Sequence, residues 1–254
     1  LFSVLALGLG FVVGAAALAA AAEKDAERVI RVATPGTYAP FTMYDELTQE
    51  WSGFEIELWR LIGEKAGYEI EFVRVRLDNP ATFAELDLGR VDTVAKQISI
   101  TPVRQQKYDF TQPFFFSPYY IIVAEDNNEI KSWKDMEGRS IALAEGSAMN
   151  EFIAALDPEN KVKKSVYESD KLVFQEVSVG RVDAYPGPYV ELLDVLKRNS
   201  SLKLKAVDME NPIYVEVNAY PFARTDRGRA LLKLTDGILT QMIEDGSYAE
   251  LCEK

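Results

Sequence analysis

The sequence predicts a two-lobed α/β fold, with a ligand cleft between the lobes and two hinge crossings that join them. Three observations predict it. The chain repeats itself: Thr82-Phe-Ala-Glu-Leu-Asp-Leu-Gly-Arg-Val-Asp92 and Val173-Phe-Gln-Glu-Val-Ser-Val-Gly-Arg-Val-Asp183 share Phe, Glu and the run Gly-Arg-Val-Asp. A short apolar strand running into a glycine precedes each copy, Val29-Ile-Arg-Val-Ala33 before Gly36 and Ser140-Ile-Ala-Leu-Ala144 before Gly146. Two β-rich segments, residues 110–123 between the copies and 213–218 after the second, stand where a chain must pass from one half to the other and back.

The elements follow in order. After the first strand, Leu58, Ile62 and Ala66 form one helical stripe between Gly53 and Gly67, the second glycine marking the stop. Residues 68–76 alternate apolar and polar as a strand does. In each repeat an amphipathic helix ends at Gly89 or Gly180 and a short apolar strand follows. Leu231, Leu234, Ile238 and Met242 place the last helix over residues 228–244, ending near Gly246.

Composition excludes several functions. The 254 residues carry 28 Lys+Arg against 40 Asp+Glu, a net charge of −12, and contain no His and one Cys. Without His there is no His-based triad, imidazole metal site or His proton shuttle. Cys252 alone forms neither an intramolecular disulfide nor a multi-cysteine zinc site. The acidic balance lacks the basic footprint that phosphate binding requires, so no nucleic-acid partner is expected. Residues 1–22 are uncharged, apolar and end in a run of Ala, with charges starting at Glu23-Lys24-Asp25. That pattern predicts a cleaved secretory signal peptide, with an uncleaved anchor as the alternative. No Cys sits at that boundary, so a lipoprotein is not expected.

Tyr38-Ala-Pro-Phe41, Gly53-Phe-Glu-Ile-Glu-Leu58, Gly89-Arg-Val-Asp92, Ser99-Ile-Thr-Pro-Val-Arg104 and Tyr108-Asp-Phe-Thr-Gln-Pro-Phe114 occur in that order. Gly146-Ser147 and Gly180-Arg-Val-Asp-Ala184 follow. Together, over residues 28–254, they resemble the extracytoplasmic solute-binding proteins of family 3, receptors of polar amino-acid ABC importers. The run from Lys96 to Phe110 looks most like the cystine-type binders.

The resemblance implies a type II periplasmic-binding-protein-like fold, with lobe I in residues 23–116 and 217–254 and lobe II in 117–216. It implies a non-catalytic, monomeric, periplasmic protein that closes on cystine or another polar amino acid and delivers it to an ABC permease. No cofactor or metal is implied. An α-carboxylate in a closed cleft calls for a planar cationic fork, which Arg104 supplies. By the family pattern Gln97 and Ser99 hold the carboxylate and amino ends, Ser147 and Ala148 belong to a turn offering N–H groups, Tyr38 packs on the ligand side chain and Asn79 lines the wall. Taken alone, these residues also admit plainer roles: Arg104 in an exposed first helical turn, Tyr38 as core or lid packing, Gln97 and Ser99 as polar strand ends.

The sequence departs from the family at Pro188, which stands where amino-acid binders carry an Asp for the ligand ammonium. Either another acid such as Glu145 supplies the charge, or the ligand lacks a free α-amine, or the pocket serves another use. The last option admits a cyclohexadienyl-type dehydratase on the same fold, with Glu145 and Asp109 as acids near the cleft. A third reading is the extracytoplasmic sensor domain of a larger receptor.

Overall fold

The computed structural model describes residues 28–75, 83–145, 147–168 and 170–253. The predicted leader, Asn79 and Gly146 lie outside the described residues. The first half contains β1 (Val29–Thr34), β2 (Thr37–Tyr38), β3 (Thr42–Tyr44), β4 (Trp51–Ser52), α1 (Phe54–Ala66) and β5 (Glu69–Arg74). It continues with α2 (Ala84–Asp87), β6 (Thr93–Val94), α3 (Pro102–Gln105) and β7 (Tyr108–Phe110). The long strand β8 (Phe115–Ala124) leads to β9 (Ser140–Ala144), α4 (Met149–Leu156), β10 (Lys163–Tyr167), α5 (Asp170–Ser178), β11 (Tyr185–Pro188), α6 (Tyr189–Arg198) and β12 (Leu204–Val207). The chain returns through β13 (Tyr214–Asn218) to β14 (Pro221–Ala223), α7 (Asp226–Glu244) and α8 (Ser247–Cys252).

Both halves are built on parallel strands. β1 lies between β5 and β6, and β9 pairs with β10 and bridges to Ala184. Their cores are separate. Groups around Trp59 and Tyr220, and around Val94 and Tyr108, draw on β1, α1, β6, β7 and α7. Groups around Ile141 and Met149, and around Phe174 and Val177, draw on β8, β9, α4, α5 and β12. β8 and β13 run between the halves and are paired with each other, antiparallel, from Tyr119↔Tyr214 to Phe115↔Asn218. The fold is two-lobed α/β.

The repeated sequence is a repeated device. The amide of Arg90 donates to Glu85 O and that of Gly89 to Leu86 O, while Arg181 donates to Glu176 O and Gly180 to Val177 O. Two such bonds across a left-handed residue form the Schellman helix stop. Gly89 has φ 66° and Gly180 φ 71°, which explains the glycine. The side chains of Arg90 and Arg181 reach back to Glu85 at 3.2 Å and Glu176 at 2.7 Å. Asp92 and Asp183 then accept the first-strand amides of Arg31 at 2.9 Å and Ser140 at 2.7 Å, locking each helix stop to its lobe's leading strand. A Cβ at Gly180 would meet no atom within 4 Å, so the cost of Gly180→Ala is purely that of the backbone conformation. Urea unfolding of Gly180→Ala is expected to show a loss of about 1 kcal/mol, and an unchanged midpoint would refute the assignment.

The first copy is tighter than its pattern suggests: the helix before Gly89 is the four-residue α2, and the strand after Asp92 is the two-residue β6. The last helix starts at Asp226, ahead of the apolar stripe, because the Thr225 hydroxyl accepts the Gly228 amide at 3.0 Å and caps it there. A Cβ on Gly228 would lie 2.0 Å from the Ala223 carbonyl, so this turn packs against the chain entering it.

Candidate functional site

A cavity of about 680 Å³ opens between the halves, lined from both sides and by the crossing strands. Its first wall is the turn after β1, where Tyr38 stacks on Phe41 with ring centroids 5.5 Å apart.

The second wall is the segment between β6 and α3. Gln97 is left-handed, φ 48°, and 7% exposed. Its amide donates to Glu55 Oε2 at 2.9 Å and its carbonyl accepts from Asn218 Nδ2 at 2.9 Å, so α1 and β13 hold the bend from either side. Glu55 is fully buried, and burial raises its pKa to about 8, against the lowering effect of the Gln97 amide and Tyr220. Two residues on, Ser99 bridges to Asn218. Gln97 and Ser99 both line the cavity, although the left-handed bend at Gln97 interrupts regular strand alternation between them. The side-chain amide atoms of Gln97 are buried and have no partner among the described residues.

Arg104 is placed by the sequence Thr101-Pro102-Val103-Arg104. Thr101 caps α3, its hydroxyl accepting the Arg104 amide at 3.2 Å, and Pro102 occupies the first helical position. One turn in, the guanidinium folds back so that Nη1 donates to the Ser99 carbonyl at 2.9 Å, and it lies 5.4 Å from the Phe83 ring centre. Burial lowers the Arg104 pKa, opposed mainly by the negative field of Glu216.

The third wall is the end of β9 and the start of α4. Ser147 Oγ accepts the Met149 amide at 3.2 Å, and Asn150 Nδ2 donates to Ala144 O at 2.8 Å and Ser147 O at 2.9 Å, tying the turn to the helix. Ser147 and Ala148 both face the cavity.

Of the residues singled out from sequence, the structure therefore gathers Tyr38, Gln97, Ser99, Arg104, Ser147 and Ala148 on one cavity. Pro188 is not among its lining residues: it is buried as the last residue of β11, paired with Tyr119, and it leads into α6. Glu145 lines the cavity and Asp109 does not; Asp109 holds Arg224 at 2.9 Å.

Among the lining residues that escaped the sequence reading are Tyr119, Glu191 and Glu216. Glu216 is 6% exposed and accepts the Ser99 hydroxyl, the Tyr119 hydroxyl at 3.0 Å and Asn218 Nδ2 at 3.3 Å. Burial raises its pKa, and these donors and Arg104 only partly oppose the rise. A signal was present in Tyr214-Val-Glu-Val-Asn218, whose alternation is inverted. Glu216 and Asn218 point inward while Val215 is 42% exposed.

The model of the bacterial extracellular solute-binding proteins, family 3, matches residues 30–254. The chain belongs to that family. Among this solute-binding protein's relatives, the probable amino-acid-binding protein YxeM of Bacillus subtilis (strain 168) is 30% identical over 231 residues, covering 91% of this chain and 85% of that one. The L-cystine-binding protein TcyA of the same organism is 29% identical, covering 89% and 80% respectively. A solved structure of the ancestral amino acid-binding protein AncCDT-1, a precursor of cyclohexadienyl dehydratase, superposes with a TM-score of 0.75 at 29% identity, covering 91% of this chain and 96% of its own. Among the described residues of this solute-binding protein, no helix is long and apolar enough to cross a membrane and no cluster of metal ligands occurs.

Proposed function

We propose that this solute-binding protein is the receptor of a polar amino-acid ABC importer, a periplasmic monomer that captures its ligand by hinge closure and releases it to a permease. The observation that carries the reading is the half-buried Arg104 fork on a cavity lined by residues of both lobes. In this reading lobe I comprises residues 23–116 and 217–254, lobe II comprises 117–216, and the hinge lies where β8 and β13 pair. Arg104 takes the ligand carboxylate bidentately, with Ser99 beside it and the turn at Ser147 and Ala148 closing from the other lobe. Tyr38 packs on the ligand side chain, and Gln97 shapes the floor. Because the ligand contacts both lobes, it stabilises the closed state, a population shift without chemistry.

A thermal-shift screen of refolded, ligand-stripped protein tests this reading. With the common amino acids and cystine each at about 1 mM, a micromolar ligand adds about 4 kcal/mol, which raises Tm by about 8–16 °C for a chain of this size. The expected outcome is one such shift, from an amino acid, with prephenate and arogenate left unchanged on incubation. Silence across the amino acids would remove the ligand class, and turnover of either cyclic acid would replace the receptor with a dehydratase.

A further inference from the structure

Ser99 contacts both a positive and a negative group on the cavity wall. Its carbonyl accepts from Arg104 Nη1 at 2.9 Å, and its hydroxyl donates to the Glu216 carboxylate. The remaining partners of Glu216, the Tyr119 hydroxyl and the Asn218 amide, are neutral. They orient the carboxylate without neutralising it, and among the described residues no ion pair reaches it. A carboxylate this deeply buried is stable only with a proton or a cation beside it. An α-amino acid carries its carboxylate and ammonium on one carbon, and such a head matches the adjacent Arg104 and Glu216.

We propose that Glu216 is the counter-ion of the ligand ammonium and the residue by which this site selects amine-bearing ligands. The proposal rests on the amino-acid-receptor reading and adds to it the group that reads the amine. Strand register supports it. Pro188 and Tyr214 both pair with Tyr119, from opposite sides of β8. Directly paired residues share a face of a sheet, as do alternate residues along a strand. Pro188, Tyr119, Tyr214 and Glu216 therefore occupy one face. The acid missing at Pro188 is supplied from the strand on the other side of β8, and Tyr119, which pairs with Pro188, donates its hydroxyl to Glu216.

The sign of the proton linkage distinguishes this role from its opposite. Arg104 on α3 favours the charged form of Glu216. Tyr119 on β8 and Tyr214 on its own strand are phenols raised above their ordinary value, hence neutral. Glu191 on α6 acts on Tyr119 and Glu151 on α4 acts on Arg104, while burial is what favours the protonated form of Glu216. An arriving ammonium favours the carboxylate and expels that proton, so affinity rises with pH through the ligand-free value. A ligand carboxylate seated against Glu216 would instead drive proton uptake.

The test is calorimetry on the full chain with L-arginine, L-glutamine and L-cystine, alongside the amine-free analogues 5-guanidinopentanoate and glutaramate. Titrations in phosphate and in Tris from about pH 5 to 8 count the protons exchanged. The expected result is proton release with an amino acid, tighter binding as pH rises, and binding about thirtyfold or more weaker in Glu216→Gln, which also loses the release. The amine-free analogues bind Glu216→Gln and the native protein alike. Amino-acid binding that is unaltered in Glu216→Gln, or accompanied by proton uptake, would overturn the role of Glu216 and leave the receptor reading intact. Binding of the amine-free analogues alone would overturn it too, and no binding of any amino acid would remove both. If circular dichroism shows Glu216→Gln unfolded, the proton count of the native chain decides.

Discussion

Arg104→Ala is expected to weaken binding of an amino acid by about 3–5 kcal/mol while leaving the melting temperature of the ligand-free protein almost unchanged. Arg104 is positioned from both ends: Thr101 caps α3 and its hydroxyl accepts the Arg104 backbone amide, while the guanidinium Nη1 donates to the Ser99 carbonyl. Its planar fork is thus set before a ligand arrives, and little side-chain entropy remains to be lost on binding. Truncation leaves the ligand carboxylate buried without its countercharge, which accounts for most of the expected loss. The fold survives because the side chain contributes one hydrogen bond and one ring contact, and water entering the cavity replaces the bond to Ser99. Arg104→Lys keeps the charge but not the fork and should recover only part of the affinity. Calorimetric titration with a parallel thermal melt checks both halves, and unchanged affinity would take Arg104 out of the site.

Asp92→Ala is the largest expected stability effect away from the cavity, about 2–3 kcal/mol by urea unfolding. The Asp92 side chain is 4% exposed and receives Arg227 Nε at 2.7 Å, Arg227 Nη2 at 3.1 Å and the Arg31 amide at 2.9 Å. Both arginines are themselves more than a third exposed and regain water when the acid is lost, which keeps the cost below that of a fully buried pair. Burial by itself would raise the Asp92 pKa, but the hydrogen bonds from Arg227 and Arg31 outweigh it and hold the carboxyl below its ordinary value. A carboxyl lowered by folding stabilises the native state above its unfolded pKa, near 3.8, and loses that contribution as pH falls through the folded value. Acid titration should therefore narrow the gap between Asp92→Ala and the native chain below about pH 4. A gap independent of pH would show that Asp92 acts through packing alone.

The parts of this fold legible in the sequence are those where one residue type solves a local problem. Gly89 and Gly180 mark helix stops because left-handed backbone favours glycine, and the Asp at the end of each copy stands where a strand amide needs an acceptor. Thr101-Pro102 announces a helix start, which makes the position of Arg104 legible as well. What escaped depended on contacts between distant segments. The bend at Gln97 is imposed by Glu55 from α1 and Asn218 from β13, not by any local preference. Glu216 was hidden because residues 213–218 read only as a crossing strand, with no face assigned. Only the pairing of β13 with β8 shows that Glu216 and Asn218 are the residues turned inward.

The pairing of β8 with β13 has a mechanical consequence. Two separate tethers would let one half swivel about either of them, but strands hydrogen-bonded over five residue pairs behave as a single leaf spring. Such a leaf flexes readily across its thickness and resists bending in its own plane, because in-plane bending shears the ladder bonds. On the proposed hinge-closing reading, the halves would thereby be restricted to one path of approach. A solute that engaged both faces would then not search among orientations of the second, since the spring would set the one in which they meet.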